Sequence, residues 1–370
     1  ARRIDAASRV VEVVDLDTGE EKRIEYDRLI VATGSRPTRL DIPGTEALWG
    51  KGIHVVSNPE NARALQEHAE RSKRAVVIGG GAIGLEIASA LKRLGLDIIV
   101  TKKSLPPFPR NLDPDMGEIV AEYLNSQGCR LLFGQDVESI NGTDKVESVT
   151  IGGEVIPTDI VVMALGVEPE SRLAAEAGLH IVSGAVWTNE QMETSIPGVY
   201  AVGECAQTFS GVDGSKIKID LATTAFRQAV VAGTNAAGGS QTFPGALGTF
   251  VSHIGVLEVA STGLNSAAAE SKGMKVITGR ARLGSKPKWM PDSKDVTVKV
   301  VAEAGTGRIL GGQAIGEDGA SWRVNMIAQA LRTRMTLQEF SSLELAYCPA
   351  VSELYDPLLA AVDVALQRAK

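Results

Sequence analysis

Residues 75–84 run Ala75-Val76-Val77-Ile78-Gly79-Gly80-Gly81-Ala82-Ile83-Gly84. The apolar, β-branched run Ala75 to Ile78 fits a buried strand, and a helical pattern starts directly after the glycines. A glycine string alone is a weak signal. Here it follows a strand, opens a helix and sits in a βαβ unit of suitable length, the full context of a dinucleotide-binding turn. Each glycine has its own physical reason. Gly79 permits the tight turn, Gly81 leaves room for a pyrophosphate against the backbone, and Gly84 lets helix and strand approach closely. Ala82 and Ile83 open the helix, whose free N–H groups and positive end suit a pyrophosphate. The bland alternative is a tight βα turn without a ligand.

Outward from this turn the pattern stays α/β. Ile83, Ile87, Ala90, Leu91 and Leu94 predict one buried helical face, with Gly95 as the stop. Asp97 to Val100 predicts the next strand. Asp113-Pro114 predicts the start of a helix with Met116, Ile119, Val120, Tyr123 and Leu124 inward, ending at Gln127-Gly128. Leu131-Leu132-Phe133 and Ile160 to Met163 read as further buried strands. Upstream, Val10 to Val14 and Lys22 to Tyr26 flank a turn, and Leu29 to Ala32 enters a loop at Thr33-Gly34-Ser35. Strands alternating with helices predict a parallel, doubly wound sheet. From about Thr249 the pattern changes to strands (Val296–Val301, Ile309–Gln313) followed by helices near 320–334 and 352–368, which predicts an α+β terminal domain.

Dinucleotide choice is normally set at the end of the second strand. An acidic residue there accepts bonds from the ribose of NAD; a basic one suits the 2′-phosphate of NADP. Lys102 lies 18 residues after Gly84, with Lys103 beside it and no carboxylate. Charge complementarity favours NADP(H); the alternative is two solvated surface lysines.

The totals exclude several classes. With 44% apolar and 22% charged residues in 370, a soluble globular protein of two or three domains is expected. No apolar run is long enough for a membrane span, and no export signal opens the sequence. A net charge of −7 and no basic run with interleaved aromatics argue against nucleic acid. Three scattered cysteines, Cys129, Cys205 and Cys348, form neither a disulfide framework nor a metal cluster, which points to a reducing cytoplasm and to no metal.

Three more segments carry a family resemblance. Ala32-Thr33-Gly34-Ser35-Arg36-Pro37, Ala164-Leu165-Gly166-Val167-Glu168-Pro169 and Thr194-Ser195-Ile196-Pro197-Gly198-Val199-Tyr200-Ala201-Val202-Gly203-Glu204 occur in that order around the glycine turn. Together they resemble the FAD-dependent pyridine nucleotide–disulfide oxidoreductases along the whole chain. The resemblance implies two Rossmann-like domains, for FAD and for NAD(P), and a C-terminal α+β dimerisation domain. The expected boundaries are 1–72 with 166–245 for FAD, 73–165 for NAD(P)H and 246–370 for dimerisation. It implies cofactor contacts from Thr33, Gly34, Gly166, Gly203 and Glu204. Glu204 replaces the usual Asp that holds a ribityl hydroxyl. It also implies that Leu221, Ala222 and Thr223 open a helix whose N–H groups face the flavin, and that Glu86, on a buried helix face, lies beside it. Relatives begin with a further glycine fingerprint and a redox Cys. No fingerprint precedes Val31 and no cysteine precedes Cys129, so the first domain is expected to be incomplete and the FAD site only partly present in these residues.

At the C-terminal end, Tyr347-Cys348-Pro349-Ala350-Val351-Ser352 resembles the Y-x-P-x-x-S segment of the CoA-disulfide reductase, NADH oxidase and persulfide reductase branch, in which this Tyr serves the partner's site in a homodimer. Cys348 stands where lipoamide and glutathione reductases carry His, and His54, His68, His180 and His253 are not placed to replace that acid. Cys348 itself reads as packing in an apolar turn, Cys205 as structural beside the Glu204 charge, and Cys129 as core. The implied activity is hydride passage from NAD(P)H through FAD to a small disulfide, persulfide or O2. Two alternatives remain at this point: a flavin-free, dinucleotide-binding dimeric subunit or sensor, and a reductase of a small electron-carrier protein.

Overall fold

The β-branched runs become the centre of a five-stranded sheet in which Arg74–Ile78 lies between Ile160–Met163 and Asp97–Lys102, with Ile53–His54 and Arg130–Phe133 at the edges. Every pairing is parallel. Strands buried on both faces read as unbroken apolar runs. Accordingly Ala75 to Ile78 and Ile160 to Met163 are at most 3% exposed. The computed structural model describes residues 1–104 and 106–369.

The two faces of this sheet are covered differently. Ala75, Val77, Ile160 and Val162 pack against the helices Pro59–Ala69, Ala82–Arg93 and Pro114–Ser126. Val76, Ile78, Val161 and Met163 pack against a three-stranded antiparallel sheet, Val137–Asn141, Ser148–Ile151 and Glu154–Pro157. The doubly wound expectation is therefore corrected on one side, where a meander replaces helices. Its short, polar strands and its glycine turn at Gly152-Gly153 gave little periodic signal.

The helix after the glycine turn is also rotated from its predicted face. Gly84, Leu85, Ala88 and Leu91 are buried, whereas Ile83 is 46% and Leu94 53% exposed. Close packing at Gly84 puts small residues inward and turns Ile83 away. The helix Pro114–Ser126 buries Met116, Val120 and Leu124 as predicted, with Gln127 as its C-cap and Gly128 at φ 76°.

Five antiparallel strands follow, in the order Phe250–Ile254, Leu257–Gly263, Ile309–Gly316, Asp295–Glu303, Val276–Gly284. Helices Ala320–Arg332 and Pro357–Arg368 pack on them. The last helix starts five residues later than predicted, at Pro357. Proline disfavours helical backbone at the residue before it, and Asp356 caps the helix by accepting from Leu358 N–H at 2.8 Å. Asp356 also receives Nε and Nη2 of the fully buried Arg323, the latter at 2.8 Å.

Residues 37–166 and 249–370 form one compact unit. Asp113, only 2% exposed, ties its two halves together. Its carboxylate accepts from Ser266 N–H (2.8 Å), Ser266 Oγ (2.6 Å) and Lys299 Nζ (2.8 Å), while its own N–H donates to Gln313 Oε1 (2.8 Å). Burial pushes the Asp113 pKa up, but the bonds from Lys299 and Ser266 outweigh it and hold the carboxyl below its usual range. The helix-capping role predicted for Asp113 is thus only positional: its side chain makes no cap bond.

Residues 1–36 and 167–248 form the other unit. It contains a three-stranded antiparallel sheet (Arg3–Asp5, Val10–Val14, Glu21–Glu25), the parallel pair Leu29–Val31 with Val199–Ala201, and the helix Ala222–Ala236. Ile4, Val31, Ala174, Val199 and Cys205 share its core. Among the described residues, no helix is long and apolar enough to cross a membrane.

Removing one partner from a buried ion pair leaves the other charge uncompensated, at a cost of about 3 kcal/mol or more. Asp113→Ala should therefore lower the urea midpoint of the unit formed by 37–166 and 249–370. Unchanged denaturation would mean that Lys299 is served by Asp115 alone, which lies 2.7 Å from it.

Candidate functional site

The glycine turn carries out three separate steric tasks. At Gly79 (φ 134°) a Cβ would stand 2.1 Å from the Ala164 carbonyl oxygen, and at Gly84 a Cβ would stand 2.3 Å from the Gly79 carbonyl oxygen. Neither position admits a side chain. At Gly81 a Cβ would meet no protein atom within 4 Å. That free space opens into a cleft of about 600 Å³ bordered by Gly79, Gly80, Gly81, Lys102, Lys103 and Gly166 among others. Gly81 is also the N-cap of the helix Ala82–Arg93 and supplies no side-chain cap, so the first-turn N–H groups of Ala82 and Ile83 have no capping acceptor. Space beside the backbone together with uncapped N–H groups fits a dinucleotide pyrophosphate.

Both lysines border this cleft. The Lys102 stem lies over Gly80, where a Cβ would be 2.4 Å from Lys102 Cδ, and its Nζ donates to the Pro106 carbonyl at 2.8 Å. Burial pushes its pKa down to about 8. Lys103 pairs with Asp136 at 3.1 Å. Lys102 is thus not the freely solvated charge of the bland reading, whereas Lys103 is exposed and carries only a surface ion pair. Sequence reasoning missed the Phe108–Asn111 and Gln135–Val137 sides of the cleft, because both follow helix or strand ends without periodicity.

In the other unit, Thr33 Oγ1 donates to the Glu170 carbonyl at 2.5 Å and Glu170 N–H donates to Gly34 at 2.9 Å. Gly34 (φ 68°) has open space where a Cβ would be. Ser35 Oγ donates to the Glu204 carboxylate. The neighbouring Gly203 N–H donates to Gln228 Oε1 at 2.8 Å. Gln228, 1% exposed on the helix Ala222–Ala236, was not anticipated; a polar residue on an inward helix face was its one signal. Leu221 is the N-cap of that helix and offers no side-chain acceptor, leaving the N–H groups around Ala222 and Thr223 without a side-chain cap. A loop carboxylate and an uncapped helix start within one unit fit the polar parts of a flavin nucleotide.

Two predicted residues sit differently from expectation. Glu86 is not on a buried helix face: it is exposed and accepts from Ser252 Oγ at 2.7 Å. Cys348, expected to pack, is exposed, while Cys205 and Cys129 are buried. Cys205 Sγ contacts the Val202 carbonyl at 3.2 Å, and burial pushes the Cys129 pKa up. Tyr347 is 45% exposed. The buried Ser352 holds the backbone on both sides of it, donating to the Ala346 carbonyl at 3.0 Å and accepting from Cys348 N–H at 3.3 Å. His54 and His68 hydrogen-bond each other at 2.9 Å, burial pushing His54 down to about 4, and neither borders the cleft.

The steric asymmetry of the turn has a measurable consequence. Gly84→Ala should destabilise by about 1–3 kcal/mol, the range for overpacking. Gly81→Ala should cost less than ~1 kcal/mol, the scale of a weakened cap. Chemical denaturation of the two variants checks this ordering.

A family model described as pyridine nucleotide-disulphide oxidoreductase matches residues 1–229, and its dimerisation domain matches residues 252–358. A protein named NADH oxidase from Methanocaldococcus jannaschii is 36% identical over 367 residues, spanning 99% of this chain and 81% of that protein. A CoA-dependent NAD(P)H sulfur oxidoreductase from Pyrococcus abyssi is 33% identical over 359 residues, spanning 94% of this chain and 79% of the relative. Among solved structures, an NAD-dependent persulfide reductase from A. fulgidus superposes with a TM-score of 0.95 at 33% identity, covering 100% of this chain and 68% of that one. With both its α/β nucleotide-binding part and its terminal domain matched, the chain belongs to the pyridine nucleotide-disulphide oxidoreductase family.

Proposed function

We propose that this chain is an NAD(P)H-dependent flavoprotein oxidoreductase that passes hydride through FAD to a small persulfide, disulfide or O2, working as a homodimer through its C-terminal domain. The observation that carries it is the Gly81 cradle: a backbone position with empty space in front and an uncapped helix start behind. The names of the M. jannaschii, P. abyssi and A. fulgidus relatives support the acceptor class. FAD, when bound, supplies the two-electron relay between nicotinamide and acceptor.

The chain's own residues bind and orient. Gly79, Gly81, Ala82, Ile83 and Gly84 hold the pyrophosphate of the nicotinamide nucleotide, with Gly166 at the edge of the same cleft. Thr33, Gly34, Gly203 and Glu204 would hold FAD, with the Glu204 carboxylate as the acceptor for a ribityl hydroxyl. The N–H groups at Leu221, Ala222 and Thr223 present the positive end of a 15-residue helix, which suits negative charge on a reduced cofactor. Glu86, whose carboxylate accepts from Ser252 Oγ, would act beside the flavin. Tyr347, whose flanking backbone is held by Ser352, would present its phenol to the persulfide, disulfide or O2 at the partner's site. In domain terms, 1–36 with 167–248 serve FAD; 37–72, expected with them, instead join 73–165 on the nicotinamide-nucleotide side, since Ile53–His54 is an edge strand of that sheet and Pro59–Ala69 packs on it, and the C-terminal part serves dimerisation.

Lys102 and Lys103 favour NADPH, because two ammonium groups border the cleft and position 102 bears no carboxylate. The M. jannaschii and A. fulgidus proteins carry NAD in their names and weigh toward NADH.

FAD-loaded protein should lose its flavin absorbance when NAD(P)H is added anaerobically, and regain it on addition of a persulfide or O2. Gly81→Ala should abolish the bleaching at limiting nucleotide. Persistent yellow colour with excess NADH and NADPH would overturn the proposal. A second expectation concerns pH. Lys102 is charged at pH 7 and loses its proton through about 8, so the affinity for NADP+ relative to NAD+ should fall between pH 7 and 9. Titration calorimetry with wild type and Lys102→Met checks this; the variant's ratio should be flat.

A further inference from the structure

The strand that ends at Lys102 lacks, at its last position, the carboxylate that usually receives the ribose hydroxyls of NAD, yet the fold returns one to the same cleft. Phe133 pairs with Lys102 in the parallel sheet, and Gly134 N–H donates to the Lys102 carbonyl at 2.9 Å. The chain then turns at Gly134 (φ 79°), and the two following residues, Gln135 and Asp136, border the cleft together with Gly79 to Gly81. This turn is anchored, since Gly152 N–H donates to the Asp136 carbonyl at 3.1 Å. The Asp136 carboxylate stands 3.1 Å from Lys103 Nζ.

We propose that Asp136 is a nucleotide-selecting residue: it supplies, from the neighbouring strand, the acceptor for the ribose hydroxyls of NAD(H) that position 102 lacks, and by pairing with Lys103 it withholds that ammonium from a 2′-phosphate. The inference rests on the reading of the glycine cleft as the nicotinamide-nucleotide site. The chemistry is a competition. An adenosine ribose with free hydroxyls donates to a carboxylate. A 2′-phosphate is repelled by that carboxylate and attracted by Lys102 and Lys103. With both charges present at one edge of the cleft, the chain accepts either nucleotide, and Asp136 sets the balance. This also reconciles two lysines at the strand end with relatives whose names carry NAD.

Equilibrium titration of the FAD-loaded protein with NAD+ and NADP+, which needs no turnover, separates the terms. Asp136→Asn should weaken NAD+ by about tenfold, the scale of one charge-assisted hydrogen bond, and tighten NADP+ several-fold. The NADP+ gain should shrink in a Lys103→Ala background, since no ammonium is then released and only the repulsion by the carboxylate is relieved. Circular dichroism of each variant confirms that the fold is retained. Unchanged NAD+ affinity in Asp136→Asn, or a shift of both nucleotides in the same direction, overturns the assignment. If Lys102→Met with Lys103→Ala leaves NADP+ unaffected while Asp136→Asn still weakens NAD+, the lysine preference fails and the Asp136 assignment stands. If neither nucleotide binds the wild type, the cleft itself has been misread and both fall.

Discussion

The nucleotide-binding sheet depends on the close approach of the Gly79 backbone to the Ala164 carbonyl. With 2.1 Å between a hypothetical Cβ and that oxygen, glycine is obligatory there. The same constraint recurs one helical turn later, where Gly84 lies against Gly79. Much else in the sheet follows from these two contacts. They draw the helix Ala82–Arg93 onto the strands, turn Ile83 outward, and leave the helix start and Gly81 facing open space. The binding surface is thus a by-product of tight packing behind it. A close backbone contact on one side makes an uncapped helix end on the other.

Charge is distributed around that cleft in a way that packing explains only partly. Lys102 has an aliphatic stem laid over a glycine and an ammonium tied to a backbone carbonyl, a conformation that costs it solvation and lowers its pKa. Lys103 is exposed and paired, and an exposed pair contributes ~1 kcal/mol or less. The C-terminal part shows the opposite design. Arg323–Asp356 is buried, and Lys299, nearly buried on its strand, reaches Asp113; Asp113 and Asp356 both stand at helix starts, where these pairs fix the register of elements rather than bind.

Much of the fold was legible in residue order. The runs at 75–78, 97–100 and 160–163 could only be buried strands, and the glycine spacing carried its own reasons. Legibility failed where signals were short or mixed. The meander at 137–157 alternates polar and apolar residues over only four or five positions per strand, too few for a period to stand out. The face of the helix Ala82–Arg93 was misjudged because bulk was taken as a mark of burial, whereas the close approach at Gly84 turns Gly84, Leu85, Ala88 and Leu91 inward and Ile83 outward.

Local order alone determined the glycine turn between strand and helix, the lysines at the end of the strand Asp97–Lys102, and the alternation that makes the sheet parallel. These depend on spacing within some thirty residues, and spacing is written in the chain. Tertiary structure alone decided what stands opposite them. Asp136 reaches the cleft because a parallel sheet aligns the ends of neighbouring strands, Ser252 meets Glu86 across 166 residues, and Ser352 braces both sides of Tyr347 through a turn. Contacts between distant residues leave no periodic trace in a single sequence, since nothing in the order of residues records which ends the fold will bring together.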